Sequence, residues 1–184
     1  MCHVIISTAG TECRWLAFDF LASVTDSKAE TEFFTVTLPK TLDELKDDIA
    51  LLVNNVGVGN EAPFLAPDVE VEEEASMVRV NCGAAVRMCR VLLPRMAARR
   101  AGAVLNISSG SCAQPTPYLA VYSATKAFLV QYSRSIAREY EDKGLLVTCV
   151  TPYYISGTGL YANTKASQVA RGQSCRVAHS ILKR

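Results

Sequence analysis

Three short apolar runs, Ile49-Ala-Leu-Leu-Val-Asn54, Ala103-Val-Leu-Asn-Ile-Ser108 and Leu145 to Thr151, alternate with longer stretches of helical character. Apolar runs of this length bounded by turn residues read as buried strands, and their alternation with helices is the pattern of a parallel sheet covered by helices. The chain is therefore expected to be α/β. His3-Val-Ile-Ile-Ser7 and Cys13-Arg-Trp-Leu-Ala-Phe-Asp19 read as two further strands. Helices are expected over 118–140 and over 72 to about 100, the latter with acids at its start and arginines at its end, a polarity that suits the helix dipole. Pro94 should kink that helix or mark its last turns. Between 22 and 39 the signals conflict, because 26–32 favours helix, 33–38 leans to strand and Pro39 breaks either. A short helix over 42–47, opened by the capping box Thr41-Leu-Asp-Glu44, is expected instead.

With 184 residues, 49% of them hydrophobic, and a net charge of +1, the chain is long enough for one cored domain and too balanced to point to nucleic acid. Residues 1–184 are read as a single domain, with 168–184 as an atypical tail. The seven cysteines show no C-x-x-C or His/Cys ligand spacing, so reduced thiols are expected rather than a zinc site or a disulfide framework. No run reaches about 18 apolar residues and the start lacks a signal-peptide pattern, so a soluble chain is expected.

Chemistry concentrates in Tyr122-Ser-Ala-Thr-Lys126 and in Asn106-Ile-Ser-Ser-Gly110 upstream of it. On a helix, Tyr122 and Lys126 are an i, i+4 pair on one face. A free phenol titrates near ~10, and a neighbouring cation favours its phenolate, which makes Tyr122 a candidate acid. Such a pair also arises by chance, as a core tyrosine beside a solvated lysine. Ser109 would sit at the carboxyl end of its strand, where ligands bind in open α/β sheets. Ser108 and Ser111 read as turn hydroxyls that satisfy backbone groups. Asn81, flanked by apolar residues in mid-helix, is costly to bury unless hydrogen-bonded.

Leu52-Val-Asn-Asn-Val-Gly57, Asn106-Ile-Ser-Ser-Gly110 and Tyr122-Ser-Ala-Thr-Lys126, in this order and spacing, resemble the short-chain dehydrogenase/reductase family. With Thr151-Pro-Tyr-Tyr154, they look most like its very-long-chain 3-oxoacyl-CoA reductase and 17β-hydroxysteroid dehydrogenase branch. The resemblance implies a Rossmann-like doubly wound parallel sheet with helices on both faces. It also implies reduction of a lipid or steroid-like ketone by NADPH, with NADH not excluded. Tyr122 would protonate the ketone oxygen and Ser109 would stabilise it. Lys126 would act on Tyr122 and bind the nicotinamide ribose, and Asn81 would complete the tetrad by holding a water beside Lys126. Asn54, Asn55 and Gly57 match residues that brace the sheet and admit the dinucleotide. Asp19 matches an adenine-amino acceptor, with an exposed strand-end acid as the alternative, and Thr158 is a candidate near the nicotinamide amide. The resemblance further implies a homodimer through the helices around 75–98 and 118–140, and a setting at the endoplasmic reticulum, with the cytoplasm as the alternative.

The chain departs from that pattern at one important place. No Thr-Gly-x-x-x-Gly-x-Gly turn is present, and that turn offers the pyrophosphate its close backbone approach and helix N-terminus. The chain is read as beginning at the family's second strand and as lacking the central first strand, which would leave strand edges unpaired. A reductase and a noncatalytic member acting only as an interaction protein are therefore both kept. A serine hydrolase using Ser109 is disfavoured, because no G-x-S-x-G elbow is present and His3 and His179 lie at opposite ends of the chain.

Overall fold

The computed structural model describes residues 2–7, 13–20, 27–44, 49–67 and 69–153. Its centre is a three-stranded parallel sheet, β3 (Leu51–Asn54), β4 (Gly102–Ile107) and β5 (Leu145–Val150), in the order β3-β4-β5. Leu52 lies opposite Val104, which lies opposite Val147, and Asn54, Asn106 and Cys149 share the next row on the same face. The three apolar runs therefore form one sheet, as their pattern implies.

Two helices cross this face. α4 (Ala84–Ala98) packs on β3 and β4, and α5 (Ala120–Glu139) packs on β4 and β5. Met88, Cys89, Leu92, Leu93 and Met96 of α4 and Ile136 of α5 join Leu52, Val104 and Val147 in one core. α3 (Val71–Val78) leads into α4 through a π-helical turn, Arg79–Gly83, so the expected long helix is present but locally widened in its middle. Pro94 lies inside α4, within its final turns.

Two expectations are corrected. Residues 33–38 do not form a strand. α1 (Ser27–Glu32), a π turn (Phe33–Thr37) and α2 (Leu38–Glu44) run on as one helical segment that contains Pro39. The wider π turn, closed by Leu38 N–H donating to the Phe33 carbonyl, stands where the missing proline donor and its ring would disrupt an ordinary turn. Thr41 is therefore interior rather than an N-cap, and its hydroxyl donates to the Thr37 carbonyl at 3.0 Å. Burial of Phe33, Phe34, Leu38 and Leu42 in the main core overrides the strand propensity of this stretch. An ion pair between Arg87 and Glu30 fastens the segment to α4.

The second correction concerns β1 (Cys2–Ser7) and β2 (Cys13–Phe18), which pair antiparallel in a separate two-stranded ribbon. Residues 8–12 are too few for the crossover of a dozen or more residues that parallel neighbours require. Among the described residues the helices gather on one face of the parallel sheet. The opposite face carries Leu51, Val53 and Leu146, which are 52%, 47% and 65% exposed.

A chain of amides joins the layers. Asn54 Nδ2 donates to Asn106 Oδ1 at 2.7 Å, Asn106 Nδ2 donates to Ser133 Oγ at 2.8 Å, and Ser133 Oγ donates to the Leu129 carbonyl at 2.6 Å. Asn106 and Ser133 are fully buried, so each lost partner leaves a polar group without water. Asn106→Leu is expected to lower the unfolding free energy by about 1–3 kcal/mol. An unchanged urea midpoint would show that the amide chain contributes nothing.

Candidate active site

The end of β4 and the middle of α5 are fastened to each other through Lys126. Its Nζ donates to the Ile107 carbonyl at 3.1 Å, and Ser108 Oγ donates to the Lys126 carbonyl at 2.6 Å. Ser108 thus satisfies backbone, as expected of it. These two bonds fix which turn of α5 faces the strand end, and Ser109 is the next residue out of the strand.

Ser109 has an extended backbone and caps the short 3-10 turn Gly110–Ala113. Its hydroxyl oxygen accepts from Ser111 N–H at 3.2 Å and from Ser111 Oγ at 3.1 Å. Both contacts use Ser109 lone pairs, so its O–H proton remains available to donate. Ser111 therefore bonds the Ser109 hydroxyl rather than only backbone.

Tyr122 lies one turn before Lys126, and Lys126 Nζ stands 5.5 Å from the Tyr122 ring centroid. Both residues are buried. Lys126 has one described acceptor, so two of its three ammonium donors are not accounted for by it. Burial lowers its pKa from the ordinary value, with the thiols of Cys149 and Cys82 opposing the shift. Asn81 sits in the π turn, a local widening frequent at functional sites. Its Oδ1 accepts from Val58 N–H at 2.8 Å, and its Nδ2 donates to the Val58 carbonyl at 2.9 Å and to Thr125 Oγ1 at 3.0 Å. The burial of Asn81 is thus explained first by its clamp on the loop after β3.

Gly57 occupies the space between Lys126 and Asn81, where an added Cβ would lie 3.2 Å from Lys126 Nζ and 3.3 Å from Asn81 Oδ1. Gly59 performs a similar service for Tyr122, since a Cβ there would come within 3.2 Å of the ring. Four predicted residues, Asn81, Gly57, Tyr122 and Lys126, are therefore in one neighbourhood. The Ser109 turn packs against α5, which carries two of them. Asn54 is engaged in bracing the sheet through Asn106, and Asn55 is exposed beside it. Asp19 follows β2 in the separate ribbon, so it does not end a strand of the parallel sheet. Thr158 lies outside the described residues.

Thr125 and Gly59 were not singled out from the sequence. Thr125 Oγ1 donates to the Tyr122 carbonyl at 2.7 Å while accepting from Asn81. A polar residue on the apolar face of α5 was the available signal. Gly59 carried none beyond its being a glycine.

A parallel-sheet α/β protein of Rossmann-like class, with the chemistry gathered at the carboxyl end of its middle strand, is what this arrangement defines. The short chain dehydrogenase family matches residues 6–169, and the chain belongs to that family. It is 44% identical over 115 residues to the inactive hydroxysteroid dehydrogenase-like protein 1 of Pongo abelii, covering 62% of this chain and 35% of that protein. It is 37% identical over 150 residues to the very-long-chain 3-oxoacyl-CoA reductase of Bos taurus, covering 75% of this chain and 48% of that protein. The chain thus spans less than half the length of these relatives. A putative NAD(P) dependent gluconate 5-dehydrogenase from Beutenbergia cavernae, solved with bound NADP, superposes with a TM-score of 0.69 at 25% identity. That likeness covers 85% of this chain and 58% of the other.

Because burial holds the Lys126 ammonium below the ordinary lysine value of 10.5, the unfolded chain binds more protons than the folded one between the two values. Stability therefore rises with pH across that window, and the cost of burying the charge is fully present below it. Urea unfolding at successive pH values should show this rise in the native chain and a smaller one in Lys126→Met. Equal slopes would mean that the ammonium is not held in a desolvated site.

Proposed function

We propose that this chain carries the proton-transfer half of a nicotinamide-dependent ketone reductase acting on a lipid or steroid-like ketone, with NADPH as the preferred reductant. The observation that supports it most is Lys126, a buried ammonium with donors to spare, beside Tyr122 and across Gly57 from Asn81. The residues present fit the ribose end of a dinucleotide. A diol can accept the unaccounted Lys126 donors, and Gly57 leaves room for close approach. The pyrophosphate cradle is not among these residues. When bound, the reduced nicotinamide supplies hydride to the carbonyl carbon.

The chain's own residues handle the oxygen. Ser109, its lone pairs engaged by Ser111, donates to the carbonyl oxygen, and the bond strengthens as negative charge develops there. Tyr122 gives that oxygen its proton. Lys126 offsets the charge left on the phenolate and orients the ribose. Asn81 holds the loop after β3 in place and keeps Gly57 against Lys126. An endoplasmic-reticulum setting is carried over from the resemblance, and no described helix is long and apolar enough to cross a membrane.

A second, noncatalytic reading is favoured by one observation, that a relative 44% identical is called inactive. NADPH titration and ketone turnover separate the two. The native chain should bind NADPH saturably, with Lys126→Ala weakening it, and Tyr122→Phe should keep binding while losing about 10²–10⁴-fold in turnover. Turnover that survives Tyr122→Phe would remove Tyr122 from the mechanism, and a folded chain that binds no cofactor would favour the interaction protein.

The helices around 75–98 and 118–140 are further proposed to form a homodimer. Val78 and Phe128 remain 45% and 40% exposed on them, and Phe128 stacks on Tyr132 at 5.5 Å. Phe128→Glu should shift the sedimentation profile towards monomer, whereas an unaltered profile would place any contact elsewhere.

A further inference from the structure

The loop after β3 runs against both groups that the proposed mechanism uses for the proton. A Cβ at Gly57 would stand 3.2 Å from Lys126 Nζ, and one at Gly59 would stand 3.2 Å from the Tyr122 ring. Backbone this close to two side chains keeps its place only if it is tied down. Three hydrogen-bonded ties do so. Asn60 Nδ2 donates to Glu73 Oε1 at 3.0 Å, but at the exposed surface, where water competes for both groups. Ala62 N–H donates to the Tyr118 carbonyl at 3.1 Å, at the start of α5. Val58, between the two glycines, is held at both its N–H and its carbonyl by the Asn81 amide, at 2.8 Å and 2.9 Å.

The Val58 tie is only as firm as Asn81 itself, and Asn81 belongs to the π turn rather than to α5. Two hydrogen bonds join that turn to α5 at Thr125. Asn81 Nδ2 donates to Thr125 Oγ1 at 3.0 Å, and Cys82 Sγ donates more weakly to the Thr125 carbonyl at 3.9 Å. Thr125 spends its one hydroxyl proton on the Tyr122 carbonyl at 2.7 Å, so towards Asn81 it can only accept. Both hydrogens of the Asn81 amide are thereby used, one on Val58 and one on Thr125. Asn81 and Thr125 are buried, so an amide hydrogen that loses the Thr125 oxygen finds no water to replace it.

We infer that Thr125 is a positioning residue of the proton-transfer site, fixing the loop after β3 on α5 through Asn81 so that Gly57 stays against Lys126 and Gly59 against Tyr122. Its catalytic consequence rests on the reading of Tyr122 as proton donor. The tie itself rests on the hydrogen bonds alone. Thr125 exchanges no proton with a substrate. It joins the helix that carries the acid and its ammonium to the loop that packs on them, and a loosened loop lets both side chains leave the geometry in which proton transfer is fast.

Native-state hydrogen exchange at the Val58 amide, measured on the 184-residue chain, tests the tie without turnover. Thr125→Val keeps the shape of the side chain and removes its oxygen, whereas Thr125→Ser keeps the oxygen. Val58 should exchange about fivefold faster in Thr125→Val and within about twofold of native in Thr125→Ser. Thr125→Cys, with a weaker acceptor, should fall between them and gives the same comparison if valine is not accepted. In an Asn81→Ala background, Thr125→Val should add less than about twofold, because the tie it acts through is already gone. Turnover is then followed with NADPH and either 1-tetralone or acetoacetyl-CoA. In Thr125→Val, kcat should fall about tenfold with KM within about twofold of native, and Thr125→Ser should restore it. Equal Val58 exchange in native and Thr125→Val protein overturns the inference, as does an acceleration that persists undiminished without Asn81. Faster exchange with an unchanged kcat also overturns it, since Thr125 would then be structural only. The expected exchange pattern in a chain that reduces neither ketone, native protein included, would sink the reductase reading and leave the tie standing.

Discussion

A buried ammonium is the constraint from which the site follows. Lys126 is held at the carboxyl end of the middle strand by the Ile107 carbonyl, and its own carbonyl receives the Ser108 hydroxyl. An ion taken out of water needs compensation close at hand, and here the compensation comes from the last residue of β4. That requirement sets the register of α5 against the strand. Once it is set, Tyr122 falls beside the same strand end and Ser109 emerges next to it. Gly57 is needed because a side chain at that position would crowd Lys126 Nζ and Asn81 Oδ1. The arrangement is thus over-determined by packing as well as by charge, which is the condition for a pre-organised site.

The parts of this structure legible in the sequence are those whose signals are local and mutually consistent. β4 announces itself as an apolar run between Gly102 and a Ser-Ser-Gly turn, and α5 as an amphipathic stretch carrying the Tyr122/Lys126 spacing. The middle of the helical segment from Ser27 to Glu44 was not legible, because its local signals contradict its burial. Phe33 to Thr37 leans to strand, yet two phenylalanines there find their place against α4 only when wound as a helix. The π turns were invisible for a similar reason. No residue type encodes them, and they arise where Pro39 or the Asn81 clamp needs an extra residue in the turn. Asn81 was picked out correctly as a buried amide that must be explained, but its partner, the Val58 backbone, lies in a loop with no pattern to place it.

The sheet itself is unbalanced. Parallel strands are normally buried on both faces, yet Leu51, Val53 and Leu146 present apolar side chains on the face away from α4 and α5. β3 pairs only with β4, so its other edge has no described partner. Apolar area left in water carries a cost of roughly 25 cal/mol per Å², and an open edge favours association. The two faces therefore make different demands. One is a finished core under α4 and α5, and the other is a surface that gains stability from being covered.

That division bears on what the site depends on. Tyr122, Lys126, Asn81 and Ser109 all stand on β4, α5, the π turn before α4 and the turns that follow the strands, and each is fixed by contacts within this layer. Their mutual geometry does not require the open face. Dinucleotide binding does require more, since ligands of such sheets lie across the carboxyl ends of strands and the pyrophosphate sits at a helix N-terminus next to a glycine turn. The contacts that position these four residues are thus physically separate from those of a pyrophosphate cradle. On the proposed reading, the proton donor and the ammonium beside it are held by contacts separate from those that a pyrophosphate would need.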